Sequence, residues 1–384
     1  MQYDVIINGG GLVGLATALM LLQQNYNVAI VEPRKPDFSW NDNILSARVC
    51  ALTPISINFL QTLGVDCSKD FVADIERMNL WDERSGFDYV LRATNIAADR
   101  LGVVVENRQL QKMLWQLCLA HVNCEFFVGE QPESVELKDN SIALIFASQT
   151  ISAQYIVAAD GAESWLRNEI GIAINKRSYN HTSVVGVVKS EEPHLNSAAQ
   201  HFMANGPLGI LPSHQPFSET FVWSTLNSHA DELMQMTDTE FATAISEASS
   251  WRLGDLVMQA ERQIIQLYMR HADEYVRDRV ILIGDAAHTI HPLAGMGVNL
   301  GLADVACLQD KIKNHGININ ALHAYARERK FYNRSMAGLM RTIQDGFATS
   351  NAVALHTRSL GAILLNKYNL LGGLANAGAY ELKY

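Results

Sequence analysis

The sequence predicts an α/β fold in which a parallel-sheet domain is interleaved with a mainly β domain, and the chain ends in helices. Three observations predict it. A strand–glycine turn–helix–strand unit opens the chain (YDVII, GGG, LVGLATALMLLQQ, NVAIVE). The pattern then changes between 181 and 226 to closely spaced strands: TSVVGVVKS, AAQHFMA, LGILPS and ETFVWSTL. Finally, ADEYVRDRVILIG at 272–284 returns to strand character and long helical patterns follow at 299–312 and 321–349.

The elements between these landmarks follow from local pattern. Residues 33–49 are polar and read as a loop, and Pro54 opens a helix over 54–63. IERMNLWD and GFDYVLR alternate as strands. Leu110, Leu114 and Leu117 share one side of a helix over 107–120, short strands are expected at 124–128, 141–147 and 155–158, and a helix at 238–248. The boundaries that result place one domain at 1–74, 96–180 and 272–345, the second at 75–95 and 181–271, and a helical region at 346–384.

Composition narrows the function classes. The 384 residues carry a net charge of −10, which excludes a basic nucleic-acid footprint. From Arg334 to Tyr384 the balance reverses, with five Lys/Arg against two Asp/Glu. Five cysteines without a CxxC pair support neither a disulfide scaffold nor a structural zinc site. No signal peptide or spanning apolar stretch is read, so a cytoplasmic setting is the expectation.

Three stretches carry chemistry. Gly9, Gly11 and Gly14 form GxGxxG between a strand and a helix, the arrangement that brings a pyrophosphate onto backbone N–H groups and a helix N-terminus. Glu32 ends the second strand, where a carboxylate accepts from a ribose diol and repels a 2′-phosphate. This motif alone does not separate NAD from FAD. Asp160-Gly161 ends another strand, with Ser164 placed to cap the following helix and Arg167 in its first turn. The third stretch, GDAAHTIHPLAGMGVNLG at 284–301, follows the strand VILI. Asp285 suits the hydroxyls of a polyol. Gly295, Gly297 and Gly301 let backbone lie against a flat ring, Pro292 fixes the loop, and Asn299 presents an amide or caps the next helix. Helix N–H groups there would stabilise negative charge on an isoalloxazine.

In this order the stretches resemble the class A flavoprotein aromatic hydroxylases, with the fold of p-hydroxybenzoate hydroxylase. RVCAL at 48–52, VVENRQLQKMLW at 104–115, ADGAESWLR at 159–167 and GDAAHTIHPLAGMGVNLGLADV at 284–305 resemble the ubiquinone-biosynthesis hydroxylase family more narrowly. The resemblance implies an FAD-binding, Rossmann-like domain of glutathione-reductase type and a mainly β substrate domain. It implies non-covalent FAD, held by Gly9, Gly11, Gly14, Glu32, Arg48, Asn107, Asp160, Asp285, Gly297, Val298 and Asn299. It further implies NAD(P)H as co-substrate and a flavin C4a-hydroperoxide that hydroxylates a polyprenylated phenol or quinol. Two positions depart from the family: Met296 stands where Gln is usual, and Ile265-Gln266-Leu267 where Phe-Pro-Leu is common.

No dedicated catalytic residue is read. His288 and His291 lie three apart without a third metal ligand, so no metal is assigned. Asp304 is read as a structural group. Trp81, His201, Trp223 and Arg270 are candidates for the second domain's pocket or rim. The competing readings are an FAD-linked reductase or dehydrogenase of the same fold and a non-catalytic FAD-stabilised component of a biosynthetic complex. Expected partners are a polyprenylated aromatic, a biosynthetic complex or a second copy, and, through the cationic, apolar C-terminal region, peripheral contact with the inner membrane.

Overall fold

The computed structural model describes residues 2–41, 43–68, 71–82, 85–289 and 296–348. Its first layer is an eight-stranded sheet whose main path runs Val276–Arg277, Val280–Leu282, Thr150–Ala158, Gln2–Asn8, Val28–Glu32, Cys124–Val128. From Val280–Leu282 to Cys124–Val128 every pairing is parallel. Gln2–Asn8 therefore has earlier-returning strands on one side and later ones on the other. That is the switch point at which such a sheet opens a crevice beyond its carboxyl ends. Val5, Ile6 and Ile7 are fully buried, as a strand covered on both faces requires. The helix Leu12–Leu22 is buried from Gly14 to Leu22 because it is packed by the sheet, by Asn107–Leu119 and by Met296–Ile312.

The second layer is a nine-stranded sheet. Its path is His288–Thr289, Gln263–Ala272, Ile174–Ser190, Ser218–Leu226, Gly206–Pro212, Ser197–Met203, Arg77–Asp82, Phe87–Arg92, with Leu256–Met258 paired to Ile174–Ser190. Because side chains alternate along a strand, the sheet has two distinct faces. Val184, Phe221 and Trp223 pack with Phe241 and Ile245 under the helices Asn227–Gln235 and Asp238–Ala248. Ser183, Val185, Val222, Leu211 and Ala198 face the opposite way, into a cavity. A small antiparallel sheet of Val49–Leu52, Gly102–Glu106 and Val72–Ile75 lies beside that cavity.

Several elements differ from expectation. The strand read from 182 begins at Ile174 and runs unbroken to Ser190. Its register against Gln263–Ala272 shifts between Ser178 and Thr182, where Asn180 is left-handed at φ 55°. The domain boundary drawn at 180/181 falls on this bulge. The strands Ser134–Leu137 and His288–Thr289 and the helix Asn227–Gln235 were not anticipated. Trp81, His201 and Trp223 do not reach the cavity. His201 lies one residue from the cavity-facing Gln200, so its ring emerges on the other face and stacks on Trp81 at 4.9 Å. Trp223 belongs to the core under the two helices.

Candidate functional site

The glycine turn is built by contact. Gly9 has φ +120°, and a Cβ there would sit 2.3 Å from the Ala159 carbonyl oxygen; a Cβ on Gly14 would sit 2.0 Å from the Gly9 oxygen. These two positions press strand, turn and helix together. Gly11 differs: a Cβ there meets nothing within 4 Å, and no side chain caps the helix it opens. The positive end of Leu12–Leu22 thus faces open ground. Glu32 lies alongside, with Oε2 accepting from the Gly10 N–H at 2.7 Å and Oε1 from the Arg34 N–H at 3.0 Å. Its remaining lone pairs are free to accept from a diol.

Asp160 is engaged by the protein itself. Ser164 Oγ donates to it at 2.5 Å, Asn8 Nδ2 at 3.0 Å and the Leu166 N–H at 3.1 Å. Burial raises its pKa, opposed by these donors. Its carboxylate therefore shapes the turn through Gly161 to Ser164 and anchors it to the end of the first strand. Ser164 caps Trp165–Glu169 through the Arg167 N–H at 3.0 Å, and the buried Arg167 donates to the Ala286 carbonyl at 3.0 Å. The two loops are thereby tied together.

Beneath the third motif lies a buried polar network. Asp304 is fully buried and accepts from His288 Nε2 at 2.6 Å, the Gly284 N–H at 3.0 Å, Arg329 Nε at 2.6 Å and Asn333 Nδ2 at 3.2 Å. Burial alone would raise its pKa, but His288 and Arg329 override it and hold the carboxyl well below the usual range. The network fixes the end of the strand from which Asp285 projects. Desolvation by surrounding protein raises the Asp285 pKa, with His288 and Arg270 opposing. Its side chain is nonetheless accessible, because it opens into the cavity.

That cavity has a volume of about 800 Å³. Arg48, Asn107, Asp285, Gly297, Val298 and Asn299 line one side. The apolar face of the nine-stranded sheet lines another, and Tyr332 and Met336 of the Ile319–Ala348 helix contribute further wall. Gly297 bears no contact that a Cβ would meet within 4 Å.

Comparison with known proteins agrees with this geometry. The FAD binding domain family matches residues 2–337. The 3-demethoxyubiquinol 3-hydroxylase of Escherichia coli (strain K12) is 30% identical over 377 residues, covering 96% of each chain. The chain belongs to this family. It is an FAD-dependent monooxygenase. The ubiquinone biosynthesis monooxygenase COQ6 of Xenopus tropicalis is also 30% identical, over 94% of this chain and 89% of its own. Among solved structures, Pseudomonas aeruginosa PqsL in complex with 2-aminobenzoylacetate matches with TM-score 0.80 at 19% identity, over 94% of this chain and all of that one. Klebsiella pneumoniae HpxO complexed with FAD and uric acid matches with TM-score 0.79 at 18% identity, over 99% and 97%.

The monooxygenase's own residues fit an FAD. Asn107 Oδ1 is buried and without a hydrogen-bond partner, and Asn107 lines the cavity. The open positions at Gly11 and Gly297 are places a side chain would fill. The structure brings Arg48, Asn107, Asp285, Gly297, Val298 and Asn299 to one cavity, while Gly9, Gly11, Gly14 and Glu32 lie at the crevice of the parallel sheet. The Asn299 side chain is already committed: Nδ2 donates to the Ala51 carbonyl at 2.7 Å and Oδ1 accepts from the Thr53 N–H at 2.9 Å. It clamps the monooxygenase's helix Met296–Ile312 to the end of the strand Val49–Leu52. Arg270 lines the cavity, pairs with Glu163 of the Asp160–Ser164 turn and lies 4.8 Å over the Tyr268 ring. His291, Pro292, Gly295 and the Met296 side chain lie outside the described residues. Sequence reading missed Arg329, Asn333 and Tyr275 as partners of the third motif, and no local signal at 275 or in the 319–348 pattern marks them.

Proposed function

We propose that the chain hydroxylates the ring of a polyprenylated phenol or quinol intermediate of ubiquinone biosynthesis, with NAD(P)H as reductant and O₂ as oxygen source. The observation that carries this reading is the cavity of about 800 Å³ between the cofactor-side loops and an apolar sheet face. The chemistry that bound FAD would supply is hydride acceptance and O₂ activation for oxygen transfer to the ring. The chain's residues bind, orient and exclude water. The Gly9–Gly14 turn and its helix N-terminus hold the pyrophosphate, Glu32 accepts from the ribose, and Arg48 and Asn107 contact the adenosine and pyrophosphate side. Asp285 accepts from the ribityl hydroxyls. Backbone at Gly297 and Val298, at the start of Met296–Ile312, favours negative charge at the ring's edge. Asp160 acts through the turn it shapes, and Asn299 through the clamp it makes. The sheet wall of Val185, Leu211 and Val222 keeps bulk water from the reacting ring.

The test is direct. Denatured protein should release FAD, and the native protein given NADH or NADPH, ¹⁸O₂ and a quinone precursor accumulated by cells in which the gene is disrupted should yield product with one ¹⁸O. Reductant consumption without label in the product would favour the reductase reading. The proposal extends to a peripheral membrane contact. ALHTRSLGAILLNKYNLLGGL, outside the described residues, combines apolar length with Arg358 and Lys367. Among the described residues no helix is long and apolar enough to cross a membrane. Flotation with anionic vesicles, weakened by Arg358→Glu with Lys367→Glu, tests it.

A further inference from the structure

On the cavity side of the nine-stranded sheet, most polar groups are already engaged. Ser183 and Ser224 hydroxyls bond each other at 2.8 Å, Tyr268 OH donates to Gln266 at 3.0 Å, and Arg270 is held by Glu163. Arg270 Nε and Thr289 Oγ1, near one edge of the sheet, lack partners among the described residues, and so does the amide of Gln200. Gln200 sits mid-sheet on Ser197–Met203, lines the cavity and is 7% exposed. Among the described residues no hydrogen bond reaches its amide, and neither amide atom is sealed from the cavity. Its cross-strand partners are Leu80 on one side and Gly209 on the other, so on the Gly206–Pro212 side no side chain fills the place beside the amide. A Cβ on Gly209 would meet only the Val222 carbonyl oxygen, at 3.8 Å.

A nine-tenths-buried amide facing an apolar cavity is costly unless something bonds to it. We propose that Gln200 is the specificity-determining residue of the substrate wall: its amide bonds an oxygen substituent of the ring and so sets which carbon is presented for hydroxylation. An amide both donates and accepts, so it suits a neutral hydroxyl, methoxyl or carbonyl oxygen. Ala198, Leu211 and Val222 around it take apolar substituents and give no competing polar contact. The open place beside Gly209 admits the ring edge to the amide. The inference rests on the proposed reading of this cavity as the aromatic-ring site.

The test uses the FAD-loaded full chain with 2-prenylphenol and 2-methoxy-6-prenylphenol as probes, comparing the parent with Gln200→Met, Gln200→Leu and Gln200→Asn. Met and Leu keep the bulk and remove the amide, and FAD content and flavin absorbance check that each variant is folded. The expected result for Met and Leu is a rise of about tenfold in KM, the size of one lost hydrogen bond. It should come with increased H₂O₂ release per NAD(P)H and a mixture of hydroxylated positions where the parent gives one. Gln200→Asn, which retains an amide, should restore part of the coupling and positional selectivity. Parent values of KM, coupling and product position in both Gln200→Met and Gln200→Leu would overturn the inference alone. Failure of the parent to hydroxylate either probe would overturn the aromatic-ring reading of the cavity, and the inference with it.

Discussion

Replacing Asp304 by Asn should be among the most destabilising single changes in the FAD side of the molecule. The carboxylate receives four donors, from His288, Gly284, Arg329 and Asn333, and is wholly buried. An amide keeps one acceptor oxygen and turns an NH₂ toward groups that already donate, leaving the nearly buried Arg329 guanidinium without its counter-charge. Breaking a buried ion pair from one side costs about 3–5 kcal/mol. With a urea slope of about 3 kcal/mol/M, the unfolding midpoint should fall by roughly 1–1.7 M. The measurement is urea unfolding of FAD-saturated protein followed by far-UV circular dichroism. Adding Arg329→Met to Asp304→Asn removes the stranded cation and should recover about 1–3 kcal/mol. Because the folded pKa of Asp304 lies below the unfolded one, the parent's advantage is complete above about pH 4 and fades as pH falls further. A midpoint shift under about 0.3 M, or an advantage that grows on acidification, would refute this account of the network.

Two further outcomes follow from contacts already described. Gly11→Ala should leave the apo protein's stability unchanged while lowering FAD affinity in a fluorescence titration, since its Cβ meets only the ground assigned to the pyrophosphate. Gly14→Ala, whose Cβ collides with the Gly9 carbonyl, should destabilise the apo protein as well; equal behaviour of the two would contradict the division. Glu219 is buried in the second sheet, with Oε2 unpartnered, and burial pushes its pKa up to about 7, opposed by the Ser190 hydroxyl. A raised acid pKa means stability is lost as pH climbs from the unfolded value near 4.5 toward 7. Glu219→Gln should therefore gain on the parent between pH 5 and pH 8, by up to about 3 kcal/mol, measured as urea midpoints at both pH values.

The parts legible in the sequence are those whose cause is local. Gly9, Gly11, Gly14 and Glu32 lie within one strand–helix–strand unit, and their spacing reflects contacts inside that unit. Helices such as Asn107–Leu119 and Asp238–Ala248 fell close to their expected spans because their apolar residues repeat at helical period. The helix Asn227–Gln235 buries only Ala230 and Leu233, too few to register as a period. The polar stretch NKRSYNH hid the first half of Ile174–Ser190, where most residues are exposed and the ladder rather than the side chains holds the strand. Asn299 reads from sequence as an amide presented to a ring or as a helix cap, but its partners Ala51 and Thr53 lie about 250 residues earlier, and only the packed fold shows where its hydrogen bonds go. Trp81 and His201 remained candidates for the pocket or rim because alternation shows that a strand has two faces without showing which faces the cavity. Gln200 was missed for the same reason.

The unbroken strand Ile174–Ser190 has a practical consequence for anyone who would recombine such proteins. The chain enters the nine-stranded sheet three times, at Arg77–Arg92, at Ile174–Ala272 and at His288–Thr289. Transplanting a substrate-side sheet between relatives therefore needs six junctions instead of two. A cut placed inside 174–190 would divide a strand that pairs on both sides, with Gln263–Ala272 along one edge and Ser218–Leu226 along the other. The graft boundary that respects the backbone lies before Ile174, so a chimera must carry the bulge at Ser178–Thr182 together with the sheet it shapes.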